Sequence, residues 1–318
     1  MAIDIEVRPG PTQAGADAHL AVGEGTFASS QELIQFQRQP RGLWRDARTR
    51  LMRDHAAVAG LIVILLLIVI AIAAPAIVPH DPNDQSFIHK LEPPSETNWF
   101  GTDEFGRDIF SRVLIGTRVA LWVGIMPVVL AMLVGVTLGL IAGFYGHGID
   151  HVVMRLIDIM LAFPWLLLAI GIMAVLGPGI NNVIIAVAIV YIPAFARIVR
   201  GSVLSIKEKE FIEAARAIGQ PNPQVMFRHV LPNAIAPIIV LATLSIGQAI
   251  IYAAGLSFIG LGTQPPNSDW GVMLASGRQY LRDGPWLGFF PGLAILITVL
   301  AFNLFGDGIR DALDPRLR

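Results

Sequence analysis

Six stretches of this 318-residue chain run for roughly the thickness of a bilayer without a charged side chain: Ala56 to Val78, Val119 to Phe144, Ile159 to Leu176, Ile180 to Ala196, Ala234 to Leu261 and Leu287 to Phe305. A hydrocarbon core about 30 Å thick takes about 20 residues of helix to cross, since backbone N–H and C=O groups find no water there and must bond within the segment. The pattern therefore predicts an all-α membrane protein with six transmembrane helices. The third and fourth stretches are parted only by Gly177-Pro178-Gly179, which breaks a helix and reads as a tight turn. Pro127, Pro164, Pro193, Pro237 and Pro291 lie inside the stretches and predict bent helices, because proline lacks an N–H and crowds the preceding turn. Gly135, Gly139 and Gly143 recur at helical spacing and predict close approach of a neighbouring helix of the same subunit.

The polar segments between the spans assign sides. Arg38, Arg41, Arg45, Arg48, Arg50 and Arg53 precede the first span, Arg197, Arg200, Lys207, Lys209, Arg216 and Arg228 lie between the fourth and fifth, and Arg310, Arg316 and Arg318 follow the sixth. With six spans these segments share one face, which the positive-inside rule makes cytoplasmic, both termini included. Composition agrees with a membrane class: 54% of residues are hydrophobic and 15% charged, against about 25% charged in soluble domains. A net charge of −1 shows none of the basic excess of a nucleic-acid binder, and the absence of cysteine removes disulfides and thiolate metal sites. Residues 1–45 read as a polar cytoplasmic tail without a secretory signal.

One cytosolic segment does not fit a simple connection. Glu210-Phe-Ile-Glu-Ala-Ala-Arg-Ala-Ile-Gly219 is charged and Ala-rich. Ser205-Ile-Lys-Glu208 has the form of a capping box, and Gly219 with Pro221 forms a stop, so a helix of about three turns is expected. Phe211, Ala215 and Ile218 would form its apolar stripe and Lys209 with Glu213 an i, i+4 pair. Two placements are open: flat on the membrane surface, or docked in a groove of a partner protein. A surface helix offers large apolar residues to the acyl boundary, whereas Ala214, Ala215 and Ala217 leave little to bury, which favours the protein groove.

Glu213-Ala-Ala-x-x-x-Gly219, then nine residues, then His229-Val-Leu-Pro-Asn233 resembles the EAA loop of membrane subunits of bacterial ATP-binding-cassette importers, although His229 stands where that family often has Ile. Ala74-Pro-Ala-Ile-Val-Pro-His-Asp-Pro82, Phe100-Gly-Thr-Asp-Glu-Phe-Gly-Arg-Asp108 with Ser111-Arg112 and Gly116-x-Arg118, Gln264-Pro-Pro-x-x-x-Trp-Gly-x-Met-Leu274, and the run from Phe302 to Pro315 follow in order. Together, from about Arg45 onward, they resemble the second permease subunit of dipeptide, oligopeptide, glutathione and nickel importers.

The resemblance implies a type I (MetI-like) permease core in a bacterial inner membrane. It divides the chain into a tail (1–45), a first transmembrane helix with an extracytoplasmic loop (46–116), a five-helix core (117–309) with its coupling loop at 205–233, and a cytoplasmic tail (310–318). It implies a paralogous permease, two ATPase subunits that carry ATP and Mg, an extracytoplasmic substrate-binding protein, and a short peptide as substrate, with glutathione or nickel as alternatives. Glu213 would touch the ATPase, with Phe211 and Arg216 beside it, Ala214 and Ala215 would permit close packing, and Gly219 would permit the exit turn.

No catalysis is expected of the chain itself. Its only lysines, Lys90, Lys207 and Lys209, follow His89, Ile206 and Glu208, whereas a phosphate-cradling loop needs Gly before Lys. Gly255-Leu-Ser257-Phe-Ile259 lacks the second glycine of a nucleophile elbow. His147 and His151 with Asp150 could ligate a metal, yet sit at a turn without a further local ligand and read as solvated. An ion-coupled secondary transporter would place ionisable groups within its spans, and these stretches carry none. In the acidic outer loop, Thr102, Asp103, Gly106, Arg107 and Asp108 fit a docking surface for the binding protein, an attractor for the amino group of a peptide, or a solvated loop with internal caps and ion pairs.

Overall fold

The computed structural model describes residues 43–314; the tail up to residue 42 and the arginines at 316 and 318 lie outside the described residues. Among the described residues the regular structure is helical, apart from one isolated bridge between Thr102 and Asp108. A short helix, α1 (Leu43–Leu51), leads to the first span, α2 (His55–Ile77), which Asp54 caps by accepting from the N–H groups of Ala56 and Ala57. Ile62, Leu65, Leu66 and Val69 of α2 are exposed along an outer flank, as befits a lipid-facing helix.

The next helix, α3 (Ile109–Tyr145), has 37 residues and is therefore about 55 Å long, nearly twice the hydrocarbon thickness. It begins ten residues before the apolar stretch because Asp108 accepts from Ser111 N–H and supplies a cap, so Arg112 and Arg118 belong to the helix. The stretch from Ile159 to Leu176 is not one straight span. Helices α4 (His147–Leu161) and α5 (Trp165–Leu176) meet at 94°, and the chain crosses only if the bent pair is taken together. Pro164 cannot donate to the turn before it and biases Phe163 away from helical angles, which ends α4 there. The same residue type does not break Pro127, Pro193 or Pro291 out of their helices.

Beyond Gly177 (φ +82°) and Gly179 (φ +143°), which make the expected turn, α6 (Ile180–Ile206) continues ten residues past its apolar stretch. Arg197 and Arg200 remain on it because Asp158 and Asp150 of α4 pair with them. A short helix, α7 (Glu210–Ala217), precedes α8 (Ile235–Phe258), the short α9 (Trp270–Gly277) and the last span, α10 (Trp286–Leu313).

The central contact is α3 against α6. A Cβ on Gly135 would stand 2.6 Å from Phe195 Cβ, one on Gly139 3.0 Å from Val199 Cβ, and one on Gly143 2.9 Å from Val203 Cβ. The three glycines thus let the two backbones touch along three successive turns, as their spacing predicts. Val128, Met173, Val187, Phe195 and Leu256 fill the core where α5 and α8 join this pair. On the far side α2 leans on α10 through Gly60, whose added Cβ would meet the Ala301 carbonyl at 2.7 Å.

Gly139→Leu is expected to push α3 off α6 and cost about 1–3 kcal/mol by overpacking, read as a lower melting temperature of the purified subunit in detergent. Gly171→Ala, where a Cβ meets nothing within 4 Å, should leave it unchanged.

Candidate functional site

The site is built on the end of α6. Ser205 and Ile206 are still helical, and Lys207 folds back to donate to the Gly143 carbonyl at the end of α3, 3.3 Å away. The expected capping box is therefore absent: the backbone of Ser205 is already committed to α6, the cap position of α7 is Lys209, and no side chain caps it. With eight residues α7 has about two turns rather than three.

Its exit is a Schellman turn. Gly219 takes φ +80°, its N–H donates to Arg216 O (2.9 Å), and the Gln220 N–H reaches Ala215 O (3.2 Å). An L side chain at that φ is strained even though space around Gly219 is open.

The buried face of α7 is Ile212 and Ala215, not the expected stripe: Phe211 is 41% and Ile218 76% exposed. Ile212 and Ala215 enter a cluster with Leu140 and Phe144 of α3, Val199, Val203 and Ile206 of α6, and Val225, Met226, Val230 and Ile238 further on. The Arg216 guanidinium lies 5.4 Å over the Phe144 ring and fixes α7 to α3 from the side. Lys209 and Glu213 form no ion pair; Glu213 and Ala214 face outward, with Glu210, Phe211, Ala217 and Ile218. The helix thus presents an exposed face of small and apolar residues that carries two carboxylates, and is backed by packing against two spans.

After α7 the chain turns back through Asn222–Val225, a wide turn at Met226–Val230 and Leu231–Asn233. His229 Nε2 and Gln220 Oε1 are 2.8 Å apart, and Asn233 donates to the His229 carbonyl (2.7 Å). A polar residue at 229 therefore closes this hook onto the residue that follows Gly219. His147 and His151 do not form a ligand set with Asp150, whose carboxylate is taken by Arg200 while the His151 ring meets the His147 carbonyl.

On the opposite face the outer-loop motif is turned inward. Asp103 Oδ1 accepts from the N–H groups of Phe105 and Arg107, and its Oδ2 from Arg107 Nε at 2.6 Å. Asp108 accepts from the Ser111 N–H and hydroxyl and from the Asn98 amide. Thr102 donates to the His89 carbonyl, and Gly106 takes φ +75° against Ser86. Arg112, 97% buried, donates to the carbonyls of Pro82 (2.8 Å) and Pro266 (3.3 Å), joining this loop to the segment after α8. Trp270 donates to Val113 O (3.0 Å) and lies so close to Gly116 that a Cβ there would stand 2.6 Å from its Nε1. Of the three readings of these residues the geometry is that of internal caps and ion pairs; Asp81, Asp84 and Glu96 remain on the surface.

Two arrangements gave no signal in the sequence. The Arg197–Asp158 and Arg200–Asp150 pairs span 39 and 50 residues. Trp165 of α5 stacks on Tyr252 of α8 at 3.7 Å and 7°, with Tyr191 of α6 5.6 Å from Tyr252.

Residues 135–318, which hold the α3–α6 contact, α7 and the hook, match the family model described as binding-protein-dependent transport system inner membrane component. The chain belongs to that family. It is a membrane permease of such a system. Residues 42–94 further match the N-terminal TM domain of oligopeptide transport permease C. The dipeptide transport system permease protein DppC of Alkalihalophilus pseudofirmus is 50% identical over 86% of this chain and 90% of that protein. The glutathione transport system permease protein GsiD of Pectobacterium atrosepticum is 49% identical over 86% and 92%. Among solved structures, an inward-facing MetNI methionine ABC transporter chain shares the fold, with a TM-score of 0.54 over 65% of this chain and 98% of that one at 20% identity.

Asp103→Ala would leave Arg112 charged and buried without its paired carboxylate, and Arg107 with only the longer 3.9 Å contact to Glu104. A loss of about 3 kcal/mol or more is expected, seen as a fall in thermal stability of the permease in detergent, while Glu96→Gln on the exposed rim should be silent.

Proposed function

We propose that this permease, with a paralogous permease, forms the pathway by which an importer takes up short peptides, and that α7 receives the work of two ATPase subunits. The reading rests on one observation: a two-turn helix that exposes Phe211, Ala214, Ala217 and Ile218 together with Glu210 and Glu213, while Ile212 and Ala215 lock it to the ends of α3 and α6. A helix with an exposed apolar face and small residues fits a groove on another protein. Because interiors are close-packed, moving α7 carries the α3–α6 ends with it instead of compressing the cluster. ATP then acts through its different affinity for two arrangements of the assembly.

The cationic residues Arg197, Arg200, Lys207, Lys209, Arg216 and Arg228 lie on the side of α7, which supports a cytosolic face there and cytoplasmic termini. An extracytoplasmic binding protein then meets the opposite face, where Asp81, Asp84 and Glu96 are exposed. The names of the dipeptide and glutathione relatives support a short peptide as substrate, with glutathione, itself a modified tripeptide, inside the same class.

Glu213→Lys and Gly219→Trp are expected to insert in the membrane as the parent does but to abolish ATP-driven uptake of peptide by the reconstituted assembly. Normal uptake by both would remove α7 from the coupling route, and uptake by this chain alone on an ion gradient would replace the importer with a secondary transporter.

A further inference from the structure

The break between α4 and α5 is exposed. Leu161, Ala162, Phe163 and Pro164 are all open to the surroundings of the isolated subunit. Helix α5 has 12 residues, about 18 Å, so from the outer turn at Gly177 it reaches little more than half the hydrocarbon thickness before the backbone leaves helical form. Irregular backbone at that depth persists only when protein covers it or water reaches it, since lipid offers no hydrogen bonds.

A second observation marks the same face. Gln248 is exposed in α8, thirteen residues after Ile235 and so about 20 Å along a helix of about 36 Å. It stands one helical turn before Tyr252, which stacks on Trp165, the first residue after the break. Tyr191 completes the group, its hydroxyl buried without a hydrogen-bond partner. An amide and two phenols thus gather beside the broken backbone at mid-membrane.

From these facts, and resting on the importer reading above, we propose that Gln248, Tyr252 and Trp165 form the part of the translocation pathway that contacts the passing peptide. The surface is aromatic with a few hydrogen-bonding groups and no charge. That composition suits a solute whose main-chain amides are constant while its side chains vary in sign and size, because amide and ring contacts are indifferent to side-chain charge. A contact face for the second permease would bury these groups instead, and that is the competing outcome.

The chain has no cysteine, so single-cysteine variants report one position each on this subunit. Gln248→Cys and, as a lipid-facing control, Leu66→Cys on α2 would be placed in the complete assembly in membrane vesicles and treated with a membrane-impermeant charged methanethiosulfonate. Gln248→Cys is expected to react at least about tenfold faster than Leu66→Cys, because the thiolate that reacts needs water. Saturating dialanine or glutathione, whichever the parent assembly takes up, should slow that reaction severalfold. Reaction no faster than the control, or a rate that transported peptide leaves unchanged, would overturn the proposal. Absence of ATP-driven uptake of either compound by the parent would instead overturn the peptide-importer reading, and the comparison with Leu66→Cys would still decide whether the face is wet.

Discussion

The contact on which the rest of this structure depends is backbone against backbone: α3 and α6 touch through Gly135, Gly139 and Gly143. In lipid the hydrophobic effect gives helices no reason to associate, so close van der Waals approach must hold the pair. Every later feature is placed by it. The cluster that anchors Ile212 and Ala215 of α7 continues the same seam, since Leu140 and Phe144 alternate with the glycines on α3 and Val199 and Val203 face them from α6. Lys207 then bonds the carbonyl of Gly143 itself, so the turn into α7 is fastened to the last glycine of the series.

The same seam explains why α7 can be so short. Eight residues have little helical stability alone, and α7 lacks a side-chain cap. Its form is held by tertiary burial on one face and by the Schellman turn at Gly219 on the other end. Glu213 and Ala214 stay outward because neither is needed for that burial.

Much of this was legible in the sequence where a single physical cost dominates. The spans followed from the cost of burying charge and unpaired backbone in hydrocarbon, and the glycine seam from spacing alone. The ends of helices were less legible because they are set by distant partners: Arg197 and Arg200 look like a helix terminus until Asp158 and Asp150 of α4 are seen to neutralise them. Ser205 and Glu208 have the letters of a capping box, but α6 already owns Ser205. The prolines were ambiguous for the same reason, since Pro127, Pro193 and Pro291 are held inside continuous helices and Pro164, by contrast, ends one. The outer motif was recognised by its residues, while its inward orientation, with Asp103 and Arg112 buried, came only from the fold.

The length of α3 has its own consequence. One uninterrupted helix begins at the cap that Asp108 supplies, beside the network of Asp103, Arg107 and Arg112, and ends at Tyr145, one residue past the Phe144 ring that lies under Arg216. No loop or hinge intervenes between the two aqueous surfaces along it. The buried network at one end and the cluster at the other therefore belong to a single element, whose backbone ladder holds them about 55 Å apart.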